Sequence, residues 1–147
     1  MKTELTTEQS QHLIKLGVPK EKASMIKHIQ LTNLDGEPID EEYKRNFTWK
    51  SLNKKPFTPF IQEGTKTTYS SYDIFTLTDV LKILPKEIQL CGLNIIYHNA
   101  IDDYYSNNYV VFYDDLLGCS AGIDNELIDA LYELTVWCIE NGHLKFD

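Results

Sequence analysis

The stretch FTLTDVLKILPKEIQLCGLNIIYHN, residues 75–99, changes from a helical to a β pattern along its length. Thr76-Leu77-Thr78-Asp79 is a capping box, in which the Thr76 hydroxyl and the Asp79 carboxylate satisfy each other's backbone N–H groups. Leu77, Val80, Leu81 and Leu84 fall on one helical face, and Pro85 stops the helix. Residues 90–99 are rich in Ile and Tyr and read as a strand, as do residues 109–114. The segment between them, 100–108, carries Asp and Asn turn residues, so an antiparallel hairpin is expected. Both faces of these strands carry apolar or aromatic residues, which predicts a sheet covered on one face and partly aromatic on the other.

Downstream, Asp124 or Asn125 caps a last helix that runs to about Asn141, and Gly142 ends it. Leu127, Leu131, Leu134 and Cys138 make one apolar stripe; Ile128, Tyr132 and Ile139 make an adjacent one. Glu126, Asp129, Glu133 and Glu140 make the polar stripe, all of it acidic. Residues 76–147 therefore predict an αββα unit.

Upstream, Thr6 to Gln9 is another capping box, with Leu13, Ile14 and Leu16 as apolar positions and Gly17 as the stop. Pro19 fits the first position of a second short helix over residues 19–28. Residues 1–28 thus predict a helical hairpin. Residues 29–75 are irregular, with a turn at Asp35-Gly36, breaks at Pro56 and Pro59, and a Thr/Ser/Tyr-rich run over 65–72 that suits a polar loop or an edge strand. Strands from this part are expected to widen the sheet, since two strands alone are marginal. The fold class is α+β in a single domain, with helices on a small antiparallel sheet.

The length of 147 residues fits one domain with a real core. Charge divides the chain. Residues 1–86 hold 13 Lys/Arg against 11 Asp/Glu, whereas residues 87–147 hold Lys145 alone against 11 acids, a net of +2 followed by −10. An acidic half repels nucleic acid and anionic lipid and attracts basic surfaces. The three cysteines, Cys91, Cys119 and Cys138, are odd in number and lack CxxC spacing, so a reducing compartment and a cytoplasmic location are expected. The opening MKTELTTEQSQHL lacks the apolar stretch of a signal peptide, and no apolar run is long enough for a membrane span.

Catalytic patterns fail on geometry. Residues 118–122, GCSAG, match a nucleophile elbow, and Ser120, an Asp and His143 follow in triad order. An elbow joins strand directly to helix, and the last helix, at ~1.5 Å per residue, puts His143 roughly 25 Å from Ser120. A glycine loop explains the residues better, which leaves a small hydrolase at Ser120 as the weakest alternative. His98, Asp102, Asp103, Asp114 and Asp115 suggest a metal cluster, but the hairpin holds them at opposite ends, roughly 15–20 Å apart at ~3.3 Å per residue. With no GxGxxG, GxxxxGK[ST] or HExxH pattern, no cofactor or metal is expected.

Binding surfaces are better supported. Lys44, Arg45, Trp49, Lys50, Lys54 and Lys55 form a basic-aromatic segment of the kind that holds single-stranded nucleic acid. The acidic pI of about 4.9 opposes that use, and pairing of the segment with the chain's own acidic half accounts for it better. The acidic stripe Glu126, Asp129, Glu133 and Glu140 has no lysine to offset it, and like charges at these spacings are unfavourable. With exposed Tyr104, Tyr105 and Tyr109 it forms the leading candidate for docking on a basic protein surface. Charge reversal at Asp129 and Glu133 is then expected to weaken capture and leave the fold intact. A homo-oligomer stays open, with Trp137 as a candidate subunit contact.

Residues 75–88, FTLTDVLKILPKEI, and residues 126–145, ELIDALYELTVWCIENGHLK, resemble a group of small uncharacterised proteins encoded by gut bacteria, their phages and integrated elements. The resemblance covers about half the chain and brings no active site. It implies an accessory protein of mobile-element or phage origin that acts by binding a host or phage protein, in some cases as an inhibitor.

Overall fold

Thr6 opens the first helix, α1 (Thr7–Lys15), through the full capping box with Gln9, and Leu13 turns into the core. Gly17 leaves the helix at φ +111°, a conformation that suits glycine. The computed structural model describes residues 1–54, 66–98, 108–113 and 121–146. Over residues 19–28 it corrects the expected second helix. A single 3₁₀ turn, Lys20–Lys22, is followed by strand β1 (Met25–Gln30). The residues of β1 gain main-chain partners on both sides, because β1 is the centre of a three-stranded antiparallel sheet. Its neighbours are β2 (Thr48–Leu52) and β3 (Tyr69–Ile74). Two flanking ladders outweigh the weak local preference of a short helix. A short helix, α2 (Glu41–Asn46), leads into β2 and is capped by Asp40.

The second sheet is the expected hairpin, made wider. Helix α3 (Leu77–Ile83) begins with the Thr76–Asp79 capping box and ends before Pro85. Strands β4 (Glu87–Ile88), β5 (Cys91–His98), β6 (Asn108–Tyr113) and β7 (Ala121–Asp124) follow as an antiparallel meander in sequence order. The strands between residues 29 and 75 build the first sheet instead of extending this one; β4 and β7 supply the extra width. Helix α4 (Leu127–Glu140) is capped at Glu126, with the Asp124 carboxylate accepting the Glu126 N–H, and Gly142 follows at φ +75°.

The α+β class is thus what the chain adopts. The core joins α1, α3, α4 and one face of the second sheet through Leu5, Leu13, Phe75, Val80, Val111, Tyr113, Ile128, Leu131 and Leu134. Tyr113 donates its hydroxyl to the Pro85 carbonyl, and burial pushes that hydroxyl well above its usual pKa. Helix α4 packs on β6 and β7.

Candidate functional site

The acidic stripe of α4 is largely engaged within the molecule. Lys2 Nζ lies 2.7 Å from Asp129 Oδ1, and Gln9 Nε2 donates to the same oxygen at 2.9 Å. The Lys2 backbone N–H donates to Glu126 Oε2 at 2.9 Å. Glu133 Oε2 accepts the Ile123 N–H of β7 at 3.1 Å. Glu140 stays exposed. A lysine does therefore offset the stripe, from the far end of the chain, and the charge-reversal expectation needs correction: reversing Asp129 sets two cations against each other and loses stability. The N-terminal residues are held there by Leu5 N–H to the Phe75 carbonyl and by Leu77 N–H to the Thr3 carbonyl. Beside the stripe, Tyr132 meets His12 Nδ1, and burial, then Glu133 and Glu140, raise the Tyr132 pKa.

The basic segment is divided by the sheet. Trp49 lies opposite His28 and Lys50 opposite Lys27, so alternation sends the two to different faces of β2. Lys44 pairs with Glu41 at 3.0 Å, Lys50 with Glu4, and Lys54 with Asp73 at 2.7 Å. Pairing is intramolecular as expected, but these acids belong to the first half of the chain, not to the acidic second half. The rings contact one another: Tyr43 stacks on Phe47 at 4.4 Å, and Trp49 sits 6.3 Å from Phe47 and 5.9 Å from Tyr69. Arg45 is exposed at a cleft of about 470 Å³ that also takes Lys2, Lys27, Glu4, Glu8 and Glu41, a mixed rather than basic lining. Among the described residues these side chains do not line up as one continuous basic and aromatic face.

Other candidates sort plainly. Trp137 packs against the core and stacks on His143 at 5.0 Å. Cys91 and Cys138 are buried, and burial raises the Cys138 thiol to about 11. Tyr104, Tyr105, Lys55, Cys119, Ser120, Asp102, Asp103, Asp114 and Asp115 lie outside the described residues. Among the described residues no three His, Cys, Asp or Glu side chains converge as a metal site, and no helix is long and apolar enough to cross a membrane.

Strand β5 carries the exposed apolar surface that the sequence reading missed. Ile95, Ile96 and Tyr97 are 44%, 44% and 50% exposed. Ile95 and Tyr97 share the helix-side face with buried Val111 and Tyr113; α4 packs chiefly on β6 and β7, and of this face of β5 Leu93 meets the core while Ile95 and Tyr97 stay exposed. Tyr109 of β6 is placed here, its ring 4.9 Å from that of Tyr97. On its other side, among the described residues, β5 is paired only where β4 reaches it, at Cys91 and Gly92. The Leu93 N–H donates to the Lys86 carbonyl at 3.2 Å, which fixes the direction of its main chain. Alternation then points the N–H and C=O of Ile95 and Tyr97 the same way, onto an edge that no described strand covers. The edge has no Lys, Pro or inward charge, the usual protections of an open strand. The signal was present in the sequence as an uncharged Ile-Ile-Tyr run; nothing in it says which strand lies at the edge.

No known protein family, curated protein or solved structure matches this chain. Among the described residues the fold is a two-sheet α+β fold, with an open apolar edge at β5.

Proposed function

We propose that the protein is a non-catalytic protein-binding module that receives an extended segment of a partner protein as an added strand beside β5. The observation that carries this reading is the uncovered Ile95-Ile96-Tyr97 edge, apolar in its side chains and open in its main chain. Strand addition draws affinity from main-chain hydrogen bonds and specificity from alternate side chains, and this edge offers both. The field of residues 87–147, net −10, favours a basic partner during approach. An accessory role for a phage or mobile element, including inhibition of a host protein, is consistent with such a module. Nucleic-acid binding through residues 44–55 finds less support, because the sheet separates Trp49 from Lys50 and the lysines at 44, 50 and 54 are paired.

The test is low-salt capture from host lysate with wild type and with Ile95→Pro, followed by salt-step elution. Proline at 95 removes an outward N–H and leaves the β5–β6 ladder intact. A discrete basic protein held by wild type and lost at least tenfold from the folded variant is the expected result. Equal capture by both rules out the β5 edge as the docking element.

A further inference from the structure

The geometry points to a second copy of this chain as the occupant of the β5 edge when no partner is present, so that self-pairing and partner binding exclude each other. This rests on the reading of β5 as a docking edge. The pairing window is set by the structure. Leu93 already donates to Lys86, and β4 holds Cys91 and Gly92, so among the described residues of β5 the groups of Ile95 and Tyr97 face outward for a new strand. An antiparallel twofold that joins these groups has one register, centred on Ile96. Ile95 then exchanges main-chain hydrogen bonds with Tyr97 of the other copy, and Tyr97 with Ile95, four bonds in all.

The side chains fit that register. Ile95 and Tyr97 meet across the twofold on the helix-side face, and Ile96 meets its own equivalent on the opposite face, where a non-hydrogen-bonded pair brings side chains closest. These are the three consecutive exposed apolar residues of the strand. Net charge keeps copies apart at a distance, but the strand itself adds no repulsion. The whole chain carries −8, yet residues 91–98, CGLNIIYH, contain no Asp, Glu, Lys or Arg, so the copies meet where no like charges oppose. An isologous contact of this kind closes after two chains and does not propagate. The window is short beside a standard interface, so the dimer is weak.

Sedimentation velocity on the purified protein, from about 5 to 500 µM, tests it. Wild type is expected to pass from monomer to dimer over that range. Ile96→Lys and Ile96→Glu each set like charges directly opposite across the twofold, and each alone is expected to remain monomeric. An equimolar mixture of the two is expected to recover association, because position 96 faces itself only in this register. Circular dichroism of each variant establishes that it is folded. A monomeric wild type at 500 µM, dimers of either single variant, or a mixture no more associated than its parts overturns the proposal. Lysate capture with Ile95→Pro is read separately, so loss of the self-pair with capture intact, or the reverse, assigns the failure to one reading.

Discussion

Gly122 shows how a residue can be visible in sequence and still be misread. It is the last glycine of residues 118–122, where a loop or a nucleophile elbow accounts for it. In the structure it is a strand residue of β7 opposite Val111, pressed against α4. A Cβ built there would lie 1.8 Å from the Ala130 carbonyl oxygen and 3.0 Å from Val111 Cγ2. The contact is with helix backbone, which cannot turn aside as a long side chain does. Gly122→Ala is therefore expected to lose about 3 kcal/mol in urea denaturation, at the upper end of overpacking changes. A loss under about 1 kcal/mol would mean that β7 and α4 stand further apart than described. Asp79 shows the opposite case. Its capping role was legible, and the structure adds a second one: the same carboxylate accepts the Ser24 N–H and hydroxyl, each at 2.8 Å, tying the start of β1 to α3. No spacing rule connects positions 24 and 79.

At the scale of elements, boundaries marked by caps and glycines were legible, because a cap is chemistry between neighbours. Helices α1 and α3 begin at the expected threonines, α4 begins within two residues of its expected cap, and β5 and β6 form the expected hairpin. Residues 25–30 were not legible, since what makes them a strand is the pair of neighbours β2 and β3, distant in sequence. Their burial has a consequence for pH. His28 is buried in β1 with Nδ1 2.6 Å from Ser71 Oγ, and burial lowers its pKa from the ordinary 6.5. The unfolded chain then binds a proton that the folded chain refuses. Stability contributed by the neutral ring is complete above pH 6.5 and is lost as pH falls through that value toward the lower folded pKa. Unfolding free energy is expected to fall by up to about 1.4 kcal/mol per pH unit in that window, and His28→Gln is expected to flatten the slope there. Parallel slopes for wild type and variant would assign the acid sensitivity to other groups.

Across the whole molecule, the division of charge was read correctly as composition and incorrectly as contact. The lysines of the 44–54 region find Glu41, Glu4 and Asp73 nearby in the first half, and it is Lys2 that crosses to the acidic helix. Sequence reading could not select Lys2 among 14 cations, because the choice depends on the N-terminal residues running beside Phe75 and Leu77 toward α4. The contact is partly buried, with side-chain exposures of 28% for Lys2 and 19% for Asp129, and Gln9 shares the carboxylate. An ion pair in that setting, with a further hydrogen bond, contributes more than an exposed one. A double-mutant cycle of Lys2→Ala and Asp129→Ala is expected to return a coupling of about 1–2 kcal/mol, with each single variant destabilised. Asp129→Lys should be less stable than Asp129→Ala, and adding Lys2→Glu should recover part of the loss by restoring opposite charges across the same gap. Additive single and double variants would show that Lys2 and Asp129 lie near each other without holding the ends of the chain together. Glu126 and Glu133 would still be held by the Lys2 and Ile123 N–H groups, so the stripe's engagement would rest on those main-chain bonds and not on the ion pair.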